Sequence, residues 1–160
     1  MSSAAASVIE LAKRAGMSIA TAESLTGGLV CGALVAVPGA SAVVRGGIVA
    51  YDTYAKVRAL GVGAQVLERE GPVSHAVAMA MATGARAALG SDIAVATTGA
   101  AGPEAHGGQP PGTVVVAVVG PDGDRVTTVH IAGGRADVIS GAVQSALDQL
   151  ALVLATSTPS

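Results

Sequence analysis

A short apolar run over residues 17–20 gives way to Thr21-Ala22-Glu23-Ser24-Leu25-Thr26-Gly27-Gly28, and apolar sequence resumes over residues 29–37 until Pro38-Gly39 stops it. That order predicts a buried strand, a turn and a helix, the unit from which α/β sheets are built. Such folds keep their chemistry where strands end and helices begin, and here that place holds the carboxylate of Glu23 and the hydroxyl of Ser24. Two readings of the segment stay open. In one, Ser24 or Thr26 caps the helix while Gly27-Gly28 eases the turn. In the other, Ser24 is a nucleophile near the helix start, where free N–H groups and the positive end of the helix dipole favour a phosphate or a developing oxyanion.

The rest of the chain continues the alternation. Residues 7–15 carry Val8, Leu11, Ala12 and Ala15 at helical spacing and end at Gly16. Residues 43–51, β-branched around Gly46-Gly47, predict a strand with a bulge or a close backbone approach. Asp52 or Thr53 can cap a short helix through Lys56 to about residue 60, and a helical turn follows over residues 65–69. Ser74 opens a long helix to Leu89, closed by Gly90. Residues 92–98 predict a strand that opens into Gly99-Ala100-Ala101-Gly102-Pro103 and a polar, glycine-rich loop to Gly112. Residues 113–119 and 125–131, joined by Pro121-Asp122-Gly123-Asp124, predict a β-hairpin, and residues 137–155 a last helix. A flexible tail is expected over about residues 156–160. The fold class that follows is α/β: a three-layer α/β/α sandwich with a mixed, mainly parallel sheet and an antiparallel hairpin, in a single domain over residues 1–160.

The core of such a domain must be built from small aliphatic side chains, because the apolar 51% of the sequence is mostly Ala and Val with neither Phe nor Trp. Tight α/β layers suit that better than an aromatic-centred sandwich. A net charge of −2 with nine scattered basic residues gives no footprint for nucleic acid, and Tyr51 and Tyr54 alone make no platform for stacking bases. Cys31 has no internal disulfide partner and reads as a small core residue. His75, His106 and His130 are isolated in sequence, so each reads as structural or surface and no metal is expected. Without a leader-like N-terminus or a run of about 18 apolar residues, the expectation is a soluble cytoplasmic protein with no membrane partner.

In an open α/β sheet the loops at the carboxyl ends of parallel strands share one edge. The turns after the first three predicted strands therefore face a common site, and they hold Ser24, then Tyr51 to Lys56, then Thr97 to Pro103. Lys56 is the candidate base for Ser24 if burial or nearby positive charge keeps it neutral, and Tyr51 can donate to or orient the pair. The bland alternatives are a solvated lysine and a packed tyrosine. Neither GxxxxGK[ST] nor GxGxxG is present. The loops 97–103 and 107–112 still offer N–H groups to an anion, with Arg135 and Arg45 as candidate phosphate partners.

Taken together, ESLTGG (23–28), YDTYAK (51–56), TGAAGP (98–103) and PPGTV (110–114) closely resemble the motifs of the CinA carboxy-terminal domain family, which includes nicotinamide mononucleotide deamidase. The resemblance covers almost the whole chain in order. It implies Ser24 as nucleophile, Lys56 as base and Tyr51 as an assisting group. It further implies substrate contacts from Glu23, Thr26, Gly27, Gly28, Thr98, Gly99, Ala100, Ala101, Gly102 and Arg135, with the phosphate among residues 98–102 and Arg135. Leu25, Ala100 and Gly134 stand where the family usually has Cys, Ile and Asp; all three border the site and bear on substrate preference. The implied reaction is hydrolysis of the carboxamide of nicotinamide mononucleotide to nicotinate mononucleotide and ammonia, without metal or organic cofactor, by a homo-oligomer. The alternative is a non-catalytic nucleotide-binding or protein-partner module, since the family name refers to competence and DNA damage and its longer members carry a further amino-terminal domain.

Overall fold

A computed structural model describes residues 3–157. Its elements are α1 (Ser3–Ala15), β1 (Ile19–Glu23), α2 (Leu29–Val35), a 3-10 turn (Ala40–Ala42), β2 (Val44–Val49), α3 (Thr53–Leu60), α4 (Ala64–Glu70), α5 (His75–Leu89), β3 (Ile93–Gly99), β4 (Thr113–Gly120), β5 (Gly123–His130) and α6 (Arg135–Thr156). The sheet order is β2-β1-β3-β4-β5. β1 is parallel to β2 and β3, whereas β4 is antiparallel to both of its neighbours. Four strands thus share one direction and β4 alone opposes them, which brings the carboxyl ends of β1, β2 and β3 to one edge.

Two layers of small side chains fill the space on either side of the sheet. α1, α2 and α6 cover one face, with Val8, Ile9, Leu34, Leu147 and Leu150 packed on Ile19, Val95 and Val116. α3, α4 and α5 cover the other, where β1 and β3 contribute only alanines: Ala20, Ala22, Ala94 and Ala96. Those short side chains let Val77, Ala78, Met81, Ala82 and Ala85 of α5 lie close to the strands. α6 is long and apolar enough to cross a membrane by length and composition, yet it lays Val138, Ala142, Ala146, Leu147, Leu150 and Leu154 into the core.

Local signals set most boundaries. The Asp52 carboxylate accepts from Ala55 N–H at the start of α3, and the Ser74 hydroxyl accepts from Val77 N–H at the start of α5. The bulge lies at Arg45, which the pairing skips between Ile19↔Val44 and Ala20↔Gly46. β1 departs from expectation: it runs two residues later at its start and includes Thr21, Ala22 and Glu23. Its polar side chains stay in the strand because they bond one another beneath α2. α6 also runs through Thr156, whose hydroxyl donates back to Val153 O, and Ser157 caps it with its hydroxyl on the same carbonyl; residues 158–160 of the expected tail lie outside the described residues.

The site edge depends on close contact between β2 and α2. A Cβ added at Gly47 would collide with Thr21 Oγ1 and stand 3.0 Å from Cys31 Cβ. Gly47→Ala is therefore expected to destabilise the fold by about 1–3 kcal/mol. Gly32→Ala, on the exposed face of α2 with nothing within 4 Å of its added Cβ, should instead stabilise it by about 0.5–1 kcal/mol. Urea unfolding of both variants checks the pair.

Candidate active site

Side chains alternate across a strand, so two consecutive residues at its end serve opposite faces. Glu23 ends β1 on the α2 side. Ser24 continues the ladder by one bond, its N–H donating to Thr97 O at 3.0 Å, and its hydroxyl meets Lys56 of α3 on the other side. Lys56 Nζ donates to Ser24 Oγ at 3.0 Å, to Ala50 O at 3.1 Å and to Tyr51 O at 3.0 Å. Ser24 Oγ has a longer contact of its own, donating to Tyr51 O at 3.3 Å.

This arrangement suits both protonation states of the lysine. An ammonium donates all three protons; a neutral amine keeps two for the carbonyls and turns its lone pair to the Ser24 hydroxyl. Lys56 is 1% exposed, and among the described residues no carboxylate lies within salt-bridge distance of it. Burial lowers its pKa from the ordinary 10.5, and the negative charge of Asp52 works against that shift.

On the other face the Glu23 carboxylate receives four donors. Thr26 Oγ1 and Val30 N–H reach Oε1 at 2.7 and 2.8 Å, while Thr21 Oγ1 and Cys31 N–H reach Oε2 at 3.0 and 2.9 Å. Leu29 N–H bonds Thr26 O at 2.9 Å. The first turn of α2 therefore has no N–H group left for a ligand, which corrects the expectation of an oxyanion or phosphate at this helix start. Ser24 and Thr26 do not cap α2 either: the cap position is Gly28, without a side-chain bond. Gly27 and Gly28 hold φ of 56° and 97°, left-handed values that only glycine adopts readily.

A cavity of about 580 Å³ opens at this edge. Of the residues expected at the site, Ser24, Tyr51, Lys56, Gly99, Ala101, Gly102 and Arg135 border it. Glu23, Thr26, Gly27, Gly28, Thr98 and Ala100 do not. Glu23 and Thr26 are 1% exposed and bonded to each other. The Thr98 hydroxyl is turned to Pro72 O at 2.7 Å, and Ala100 spends its N–H on Thr113 O and its carbonyl on Gly112 N–H. Arg45 sits on the bulge near the start of β2, away from this edge.

Leu25, Asp52, Thr53 and Pro103, within segments expected at the site, also border the cavity, and sequence reasoning missed Glu104 and His106. Asp52 was visible only as a cap; Glu104 and His106 lie in a loop with no motif to mark them. Tyr51 acts at two points. Its carbonyl touches the Ser24–Lys56 pair, and its hydroxyl accepts from Arg135 Nη2 at 2.8 Å. Arg135 Nη1 donates to Gly102 O at 2.8 Å, so the first residue of α6 ties the glycine loop to the β2–α3 turn. Among the described residues, no group of three or more His, Cys, Asp or Glu could hold a metal ion.

Comparison with known proteins agrees with this architecture. The family profile of the CinA C-terminal domain matches residues 1–154. A CinA-like protein of Frankia casuarinae is 46% identical over 148 residues, covering 92% of this chain and 34% of its own length. A CinA-like protein of Parasynechococcus marenigrum is 46% identical over 153 residues, covering 92% and 36%. The chain thus spans about a third of the length of the curated relatives it matches. Among solved structures, the competence damage-inducible protein A (ComA) of Klebsiella pneumoniae superposes with a TM-score of 0.93 at 35% identity, covering 97% of each chain. The competence/damage inducible protein CihA of Agrobacterium tumefaciens gives 0.80 at 38% identity, covering 94% of this chain and 96% of that one.

The environment of Lys56 has a direct readout. In an NMR titration of the lysine side chains, the Lys56 amine should lose its proton below the ordinary 10.5. In Asp52→Asn, which keeps a side-chain cap but removes the charge that raises the pKa, it should do so at lower pH still. A Lys56 titration at or above 10.5 would contradict the desolvated amine.

Proposed function

The chain belongs to the CinA C-terminal domain family, and from that membership and the buried serine–lysine pair we propose that it is an amide hydrolase converting nicotinamide mononucleotide to nicotinate mononucleotide and ammonia. One observation carries the proposal: Lys56 Nζ stands 3.0 Å from Ser24 Oγ at a cavity wall, desolvated, with no carboxylate among the described residues in salt-bridge contact with it. A lysine in that setting can act as a general base near neutral pH.

In the proposed reaction neutral Lys56 takes the proton of Ser24 as Oγ attacks the carboxamide carbon. The tetrahedral intermediate collapses while Lys56 returns the proton to the amide nitrogen, so ammonia leaves and the acyl group stays on Ser24. Lys56 then takes a proton from water as its oxygen attacks the ester carbon, and returns that proton to Ser24 Oγ as the acyl–Oγ bond breaks and the carboxylic acid leaves, losing its proton to solvent. The carbonyls of Ala50 and Tyr51 keep the amine aimed at Oγ throughout. The phosphate is proposed to lie against the backbone of residues 99–102 and Arg135, whose guanidinium exchanges its bonds to Tyr51 and Gly102 for a bidentate anion. The residues need no metal or organic cofactor for these steps.

A second reading has support from names alone: the solved relatives are described as competence or damage-inducible proteins, so a non-catalytic nucleotide-binding module is the rival.

Ammonia release from nicotinamide mononucleotide separates the two. Wild type should turn over, and Ser24→Ala and Lys56→Ala should fall by about 10²–10⁴-fold while still binding the nucleotide in calorimetry. Because the neutral amine is the active form, the rate should climb with pH as Lys56 deprotonates, with that limb below 10.5. Binding without ammonia release favours the rival, and release equal in wild type and both variants overturns the serine–lysine mechanism.

A further inference from the structure

We propose that Glu23 is a positioning residue for the Ser24 nucleophile, fixing the turn so that the N–H group of Leu25, instead of those of α2, receives the oxyanion. This rests on the amide-hydrolase reading of the same site.

Glu23 touches neither the cavity nor Lys56, being 1% exposed and turned to the opposite face of the sheet. Its four donors come from three different pieces of backbone: Thr21 in β1, Thr26 in the turn, and Val30 and Cys31 in α2. Ser24 lies between two of these anchors, Glu23 itself and Thr26. The single hydroxyl proton of Thr26 goes to Glu23, so in the 2.7 Å contact between Thr26 and Thr97 hydroxyls it is Thr97 that donates. A directed chain therefore runs from β3 through the turn to the carboxylate. Only a group with acceptors at both ends fits; a carboxamide would set two N–H donors against N–H or hydroxyl donors.

The same carboxylate removes α2 from the chemistry, because the N–H groups of Leu29, Val30 and Cys31 are all bonded within the protein. Ser24 N–H is taken by Thr97 O and Gly27 N–H by Ser24 O. Among the described residues the N–H groups of Leu25, Thr26 and Gly28 have no acceptor within the protein, and of these three residues Leu25 alone borders the cavity. The residue after a nucleophile is where acyl-transfer sites commonly place an oxyanion donor.

The test measures Ser24 labelling by a fluorophosphonate alongside ammonia release, well below the melting temperature. Glu23→Gln should lower both the labelling rate and kcat by about 100-fold, leaving KM within about twofold and the acid limb of the pH profile in place. Thr26→Val should fall in the same way and Thr26→Ser should keep wild-type rates, which serves if Glu23→Gln does not fold. A Glu23→Gln or Thr26→Val protein that melts earlier but labels and turns over at the wild-type rate would show the network to be structural only. Wild type that labels at Ser24 yet releases no ammonia sinks the substrate reading while labelling still tests Glu23. Wild type that labels no faster than Ser24→Ala overturns both.

Discussion

Everything at this edge follows from the period of two in a β-strand, applied to the last residue of β1 and the one after it. Consecutive positions put the Glu23 carboxylate beneath α2 and the Ser24 hydroxyl beside α3. The sheet then stands between a buried negative charge and the lysine. That separation matters for the proposed mechanism, because a carboxylate in contact with Lys56 would hold its proton and remove the proposed base. Shifting the register by one residue would exchange the two side chains, leaving a hydroxyl under the helix and a carboxylate against the lysine.

Burying a lysine this deeply depends on the rest of the core being small. The faces of β1 and β3 toward α5 are alanine, and Gly84 of α5 has no side chain where one would strike Leu60 O at the end of α3. α3 can therefore sit low enough on the sheet edge for Lys56 to reach inward instead of lying along the surface. Its cap, Asp52, does two opposed things: it starts the helix that carries Lys56 and it raises the proton affinity of that lysine. The absence of Phe and Trp noted from composition is thus part of how the site is made.

The fold was largely legible because its punctuation is local. Asp52 and Ser74 announce their helices, and Gly46-Gly47 announces the bulge, since caps and bulges depend on residues within a few positions of one another. The polar end of β1 was misread as a turn because Thr21 and Glu23 are satisfied only by partners up to eight residues away and by a helix not yet placed. Ser24 and Lys56 were paired by the rule that loops at parallel strand ends share an edge, and motif resemblance reinforced the pair; their spacing of 32 residues carries no period of its own. Glu23 was named for the substrate, yet its four bonds are internal, and nothing in the sequence separates a carboxylate that faces a ligand from one that faces a helix end.

The two sides of the β1 edge also divide the electrostatic labour. α2 begins with three N–H groups that would ordinarily attract an anion, and the protein fills them with its own carboxylate and a turn carbonyl. The helix start is thereby closed to an anionic ligand, whereas Gly99, Ala101, Gly102 and Arg135 border the cavity. In the proposed reaction, a mononucleotide entering phosphate-first would be drawn toward that rim and away from Ser24. Its neutral carboxamide would then be the part free to approach Lys56, so that under the proposed function closing the helix start to anions would help to orient the ligand.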